Sequence, residues 1–169
     1  MKKIHFTVMA CILLILSNFF ISISVYAHDT GIRKGNFKVN QLNGKTSFNL
    51  LIPSKVPNNW VVELKYPDKI YNHMERVQMH YLDETKTQLK LAVIEKKAKQ
   101  NFTELEDYGI NVKIKDKIAV FHPLTPTKRI KDVQGGTLSW IQNGTLITLF
   151  SSRISKEDLI KIAESMEEV

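Results

Sequence analysis

Asn143-Gly144 stands between two alternating runs, Thr137 to Gln142 and Thr145 to Ser151. A two-residue type I′ turn needs positive φ at both central residues, and Asn-Gly reaches it at little cost. The pair therefore commits the chain to an antiparallel hairpin in which Gln142 faces Thr145, Trp140 faces Ile147 and Leu138 faces Leu149. Side chains alternate across a strand, so Leu138, Trp140, Ile147 and Leu149 share one apolar face that must be covered. A helix follows that can cover it. Ser155 is its N-cap with Asp158 as the reciprocal acceptor three residues on. Leu159, Ile162, Ala163 and Met166 recur at i, i+3, i+4 and i+7, and Glu157 and Lys161 make an i, i+4 pair on the wet side.

The same alternation recurs upstream. Arg76 to Leu82 sets Val77, Met79 and Tyr81 against Arg76, Gln78 and His80. After a polar turn at Asp83 to Thr87, Gln88 to Glu95 sets Leu89, Leu91 and Val93 against Lys90, Ala92 and Ile94. Gly109 to Lys115 and Ile118 to Phe121 form another pair around an Asp116-Lys117 turn, with Lys96 to Asp107 a charged loop or short helix. Val61 to Tyr66 is a strand that Trp60 opens and Pro67 stops. Pro53 and Pro57 make the segment before it an extended, turn-bearing lead-in. One face on a core and one toward water is the mark of an antiparallel sheet. The expected fold is α+β: a curved antiparallel sheet of about six to eight strands packed by a C-terminal α-helix.

The first 27 residues are of another kind. Lys2 and Lys3 precede an uncharged, largely apolar stretch from Ile4 to Tyr26, and Val25-Tyr26-Ala27 has the small-residue spacing of a signal-peptidase site. The expectation is a secretory signal over 1–27, a flexible leader over 28–46 with a short strand at Asn36 to Val39, and a single domain over 47–169. The stretch is also long enough to span a bilayer, so a retained anchor is the rival reading. The protein is then extracytoplasmic, either secreted after cleavage at Ala27 or tethered to the membrane.

Cleavage would leave 142 residues, enough for one real core, and no cysteine, since Cys11 is the only one. Disulfide scaffolds, thiol nucleophiles and cysteine metal sites are thereby excluded. Losing Lys2 and Lys3 takes the net charge from +7 to +5. That balance suits solubility, and it also suits an anionic wall polymer or lipid headgroup.

Few residues group in a way that carries chemistry. His28 would become the first residue, offering an amine and an imidazole that with a second histidine could brace copper. His73, His80 and His122 are the possible second ligands, although no local histidine pair supports such a site. His80 and His122 read as strand-surface residues. Asp83/Glu84 and Glu104/Glu106/Asp107 lie in solvated turns or loops, where paired acids lack the burial that hydrolysis requires. No Gly-x-Ser-x-Gly elbow and no phosphate-cradling glycine loop is present. Lysines cluster at Lys96, Lys97 and Lys99. A stripe of Lys113, Lys115 and Lys117 on one strand face, with Lys128, Arg129 and Lys131, would meet an anionic partner. An exported domain without an RNA-binding aromatic signature is not expected to bind nucleic acid.

Leu138-Ser-Trp140, Asn143-Gly144, Thr145 to Phe150 and the helix Ser155-Lys-Glu-Asp-Leu-Ile-Lys-Ile-Ala-Glu-Ser165-Met together carry a resemblance. The block resembles the C-terminus of domain-of-unknown-function family 4367, from exported and membrane-anchored proteins of Gram-positive spore formers. The likeness extends back through Pro53 to Trp60 and the Tyr81 hairpin. It implies an extracytoplasmic sensing or binding module with no activity or cofactor attached. The chain departs from that setting in having no cytoplasmic regulatory segment before its apolar stretch, which puts an anti-sigma role in doubt. The expected function is a non-enzymatic binding or sensing module of the cell envelope. An envelope-acting enzyme and a carrier of an apolar ligand are the alternatives.

Overall fold

A computed structural model describes residues 38–99, 109–126 and 133–169. They belong to one compact unit, Phe37–Val169. Its strands are β1 (Leu51–Pro53), β2 (Val61–Tyr66), β3 (Arg76–Leu82), β4 (Leu89–Lys97), β5 (Ile110–Ile114), β6 (Lys117–Pro123), β7 (Gly136–Gln142), β8 (Thr145–Ser151) and β9 (Met166–Glu168). The helix α1 (Lys156–Glu164) lies between β8 and β9. Seven strands form one antiparallel sheet in the order β2-β3-β4-β8-β7-β6-β5, and β1 pairs with β9 in a separate ribbon. Two meanders, β2-β3-β4 and β5-β6-β7-β8, thus meet at the β4–β8 pair.

The β7–β8 hairpin has the register that Asn-Gly dictates: Gln142 opposite Thr145, Trp140 opposite Ile147, Leu138 opposite Leu149. Asn143 and Gly144 take φ of 51° and 77°. Trp140, Leu138, Ile147 and Leu149 are all fully buried. Above them α1 packs on β5 and β7 through Leu159, Ile162 and Ala163. The Ser155 hydroxyl accepts from the Asp158 N–H at 3.1 Å and donates to the Asp158 carboxylate at 3.0 Å. Ser155→Ala should therefore cost about 1 kcal/mol, read as a lower urea midpoint at unchanged slope.

Several local expectations are corrected. The expected Glu157–Lys161 pair gives way to Lys161–Asp158, at 2.9 Å and one residue closer. The helix ends at Glu164 with Ser165 as its cap, and Met166, though buried as expected, begins β9. The β5–β6 turn falls at Lys115–Asp116, with Lys115 at φ 55°, and Lys117 already starts β6. The described part of the expected leader is ordered. Instead of a strand reaching Val39, residues Val39–Leu42 form a 3-10 turn whose Leu42 is fully buried. Backbone bonds from Ser47 and Met74 to each other's segment fasten it: Ser47 N–H to Met74 O, Met74 N–H to Lys45 O.

The ribbon closes the unit. Leu51 pairs with Glu168 and Pro53 with Met166. A proline is tolerated in β1 because β1 has a strand neighbour on one side only. Ser54 N–H donates to Ser165 O at 3.0 Å and its hydroxyl to the same oxygen at 2.8 Å. The Asn143 side chain donates to Glu168, and the Thr145 hydroxyl donates to Asn49 O at 2.7 Å. These bonds tie the hairpin tip to the ribbon.

Candidate functional site

Paired residues in an antiparallel sheet share a face, so a row can be followed across it. On the inner face one row runs Val77, Glu95, Ile147, Trp140, Ala119, Val112. Glu95 is its only polar member, and it is fully buried. Its Oε2 accepts from the Leu51 N–H at 3.0 Å, which fastens β1 to the sheet. Its Oε1 has no hydrogen-bond partner among the described residues. Burial pushes the carboxyl up to about 8, and the Leu51 hydrogen bond only partly opposes this. At neutral pH Glu95 is mostly a neutral acid. Burial, and then the Glu95 charge, also raises the Tyr81 hydroxyl, which stays protonated across the physiological range. An enclosed carboxyl cannot touch a substrate. What it can do is hold the ribbon down through the Leu51 bond, at a burial cost that is smaller when the carboxyl is protonated.

The histidines are placed apart. His80 is half-buried on the outer face opposite Glu63, its Nε2 2.9 Å from the Gln78 amide nitrogen. Its pKa is lowered by burial and then by Lys65, against a smaller upward pull from Glu63. His122 lies in the same row, which runs Glu63, His80, Ala92, Phe150, Thr137, His122. Three strands separate the two histidines, about 19 Å at the usual strand spacing, so they cannot share a metal ion. The His122 ring packs against Gly109, where a Cβ would lie 2.9 Å from it. His73 sits exposed in a turn at φ 59°. His28 lies outside the described residues, as do Glu104, Glu106 and Asp107. No group of three or more metal-capable side chains occurs among the described residues. Asp83 is a turn-builder: its Oδ1 accepts from the backbone N–H groups of Thr87 and Gln88.

The expected lysine stripe is divided. Lys113 is on β5 and projects from the outer face with its partner Ile118. Lys115 occupies the turn, and Lys117 pairs across the strands with Ile114 on the inner face, its amine 2.7 Å from Asp116. The turn falls one residue earlier than expected and puts Lys117 on the returning strand, so the three amines do not share one strand face. They do share one end of the sheet, beside the β7–β8 turn and the end of β4 with Lys96 and Lys97. Lys128, Arg129 and Lys131 lie outside the described residues.

Two features escaped the sequence reading. Glu95 continues the inward series Leu89, Leu91, Val93 by one more step, so its burial was signalled by period 2 alone. The convergence of Lys96 and Lys97 with Lys113 to Lys117 had no local signal, because it depends on β4 pairing with β8.

The family model for a domain of unknown function, DUF4367, matches residues 51–166. The chain belongs to this family. The DUF4367 match begins with β1 and reaches the first residue of β9, so the ribbon that Glu95 fastens joins the two ends of the family unit. No curated protein and no solved structure matches the chain. No helix among the described residues is long and apolar enough to cross a membrane.

Proposed function

We propose that this DUF4367 domain is a non-enzymatic binding or sensing module of the cell envelope, working outside the cytoplasm. One observation carries the non-enzymatic part. Among the described residues, Glu95 is enclosed, Asp83 is engaged in a turn, His80 and His122 stand three strands apart, and the Glu63 that faces His80 is paired with Lys65 and Lys86. The extracytoplasmic part rests on the charge and apolar pattern of 1–27. The inner face is filled by its own side chains: Leu138, Trp140, Ile147 and Leu149 have no exposed surface. That weighs against a carrier of an apolar ligand inside the sheet. An envelope-acting enzyme has no supporting constellation among these residues.

Cell fractionation with N-terminal sequencing tests the location. The expected result is recovery from the envelope or medium with His28 first, or from the membrane with the N-terminal segment intact. Recovery from the cytoplasm would sink the reading. A pull-down of the protein against envelope extract tests binding, and a specific protein, polymer or lipid should be retained.

A further inference from the structure

On the outer face, away from α1, one row of residues is apolar in the middle and basic at both ends. Lys113 pairs with Ile118 across β5 and β6. Ile141 pairs with Leu146 across β7 and β8, Leu146 with Lys96 on β4, and Lys96 with Arg76 on β3. Ala119 pairs with Trp140, which places Ile118 beside Ile141. The row therefore reads Lys113, Ile118, Ile141, Leu146, Lys96, Arg76, in which Leu146 is buried and Ile141 half-buried, leaving Ile118 as its exposed apolar side chain. Ile118 is 70% exposed, the most exposed large apolar side chain among the described residues. Tyr66, 45% exposed and paired with Gln78 in the next row, stands at the β2 edge with the Arg76 guanidinium 5.4 Å from its ring centroid. Lys97 and Lys115 are exposed at the same end of the sheet. Among the described residues the acids at that end are Asp68, Glu75, Asp116 and the Glu168 carboxylate that Asn143 holds.

In water an isoleucine set among lysines gains nothing. Against an anionic bilayer both halves of the row are satisfied at once. Lysine and arginine stems reach headgroup phosphates while short apolar side chains enter the boundary below them. Tyrosine favours the same interfacial depth. A hydrophilic polyanion would satisfy the cations but leave Ile118 and Ile141 without a role.

We propose that this row is a docking surface for an anionic lipid bilayer, with Ile118 and Ile141 entering the headgroup region and Lys113, Lys115 and Arg76 meeting lipid phosphates. It names a partner for the binding module proposed above and rests on that reading.

The test keeps the full chain. Cys11, the only cysteine, is changed to Ser, and an environment-sensitive fluorophore is attached at Ile118→Cys or, as control, at Glu84→Cys in the β3–β4 turn at the other end of the sheet. Vesicles of phosphatidylglycerol with phosphatidylcholine should shift the 118 emission to the blue. Pure phosphatidylcholine should not, and the label at 84 should stay unshifted throughout. Lys113→Gln and Lys115→Gln should each weaken the response about fivefold at low salt. Thermal melts matching the parent confirm that these exposed changes leave the fold intact. An unshifted 118 label on anionic vesicles overturns the proposal, as does an equal shift at 84 or an equal response to pure phosphatidylcholine. Soluble poly(glycerol phosphate) is the last arm: binding as tight as that of vesicles, and indifferent to Ile118→Ser, would make the surface a polymer site and overturn the proposal too. Each of these failures leaves the extracytoplasmic reading standing, because cell fractionation measures that separately.

Discussion

Raising the pH from about 5 to about 9 is expected to remove roughly 3–5 kcal/mol of stability through Glu95. The folded carboxyl titrates near 8 and the unfolded one near 4.5. Below 4.5 both states hold the proton and the contribution is complete. Between 4.5 and 8 the unfolded chain ionises freely while the folded one does not, so stability falls steadily. Above 8 the folded state ionises as well and the loss levels off. Among the described residues no cation faces the carboxyl: its polar surroundings are the Leu51 N–H and the Tyr81 hydroxyl, which stays neutral over this range. Urea midpoints at pH 5, 7 and 9 would measure the slope.

Glu95→Gln isolates it. The amide oxygen still accepts from Leu51, but nothing ionises, so most of the slope should vanish and the variant should exceed the parent at pH 9. His80 works in the opposite sense near neutrality, because its lowered pKa makes the folded state the weaker proton binder. The comparison between parent and Glu95→Gln removes that contribution from both curves. A parent flat from pH 5 to 9, or a Gln variant with the same slope, would sink this account of Glu95.

Trp140→Ala is expected to cost about 3–5 kcal/mol. The indole is fully buried between Ile147 and Ala119 in its row, in the core cluster that α1 completes, and its Nε1 donates to the Gln142 side chain at 3.3 Å. Neighbours fixed by strand pairing cannot collapse far into the space, so a cavity remains in addition to the lost transfer energy. Trp60, the only other tryptophan, is part-buried and stays available as a fluorescence reporter of unfolding. A loss below about 1 kcal/mol would mean that the helix and sheet repack freely, against the close-packed interior described here.

The pattern of the chain was readable to different depths. β3 and β8 start and end where alternation placed them, and the β7–β8 register follows residue by residue from Asn143-Gly144. Both rest on contacts between near neighbours in sequence, where period and turn chemistry suffice. The ribbon was missed because three-residue strands carry too little period, and because β1 and β9 pair over more than 100 residues. The Lys115–Asp116 turn slipped by one residue, since a lysine at positive φ has no compositional signature like that of Asn-Gly. Glu95 was the reverse case. Its position in the alternation was plain, but a glutamate is ordinarily taken as the end of a buried face.

What the sequence alone determined is therefore the set of pieces: an antiparallel class, a hairpin with its buried tryptophan, a capped helix with its stripe, and a separate apolar start at 1–27. Each follows from side-chain period, turn conformers or capping, which act over a few residues. Only the tertiary structure decided that β4 pairs with β8. That one pairing encloses Glu95 between Val77 and Ile147, and it carries a basic and apolar row across the opposite face. Such partnerships are settled by burial summed over whole faces, a quantity that no short window of sequence contains.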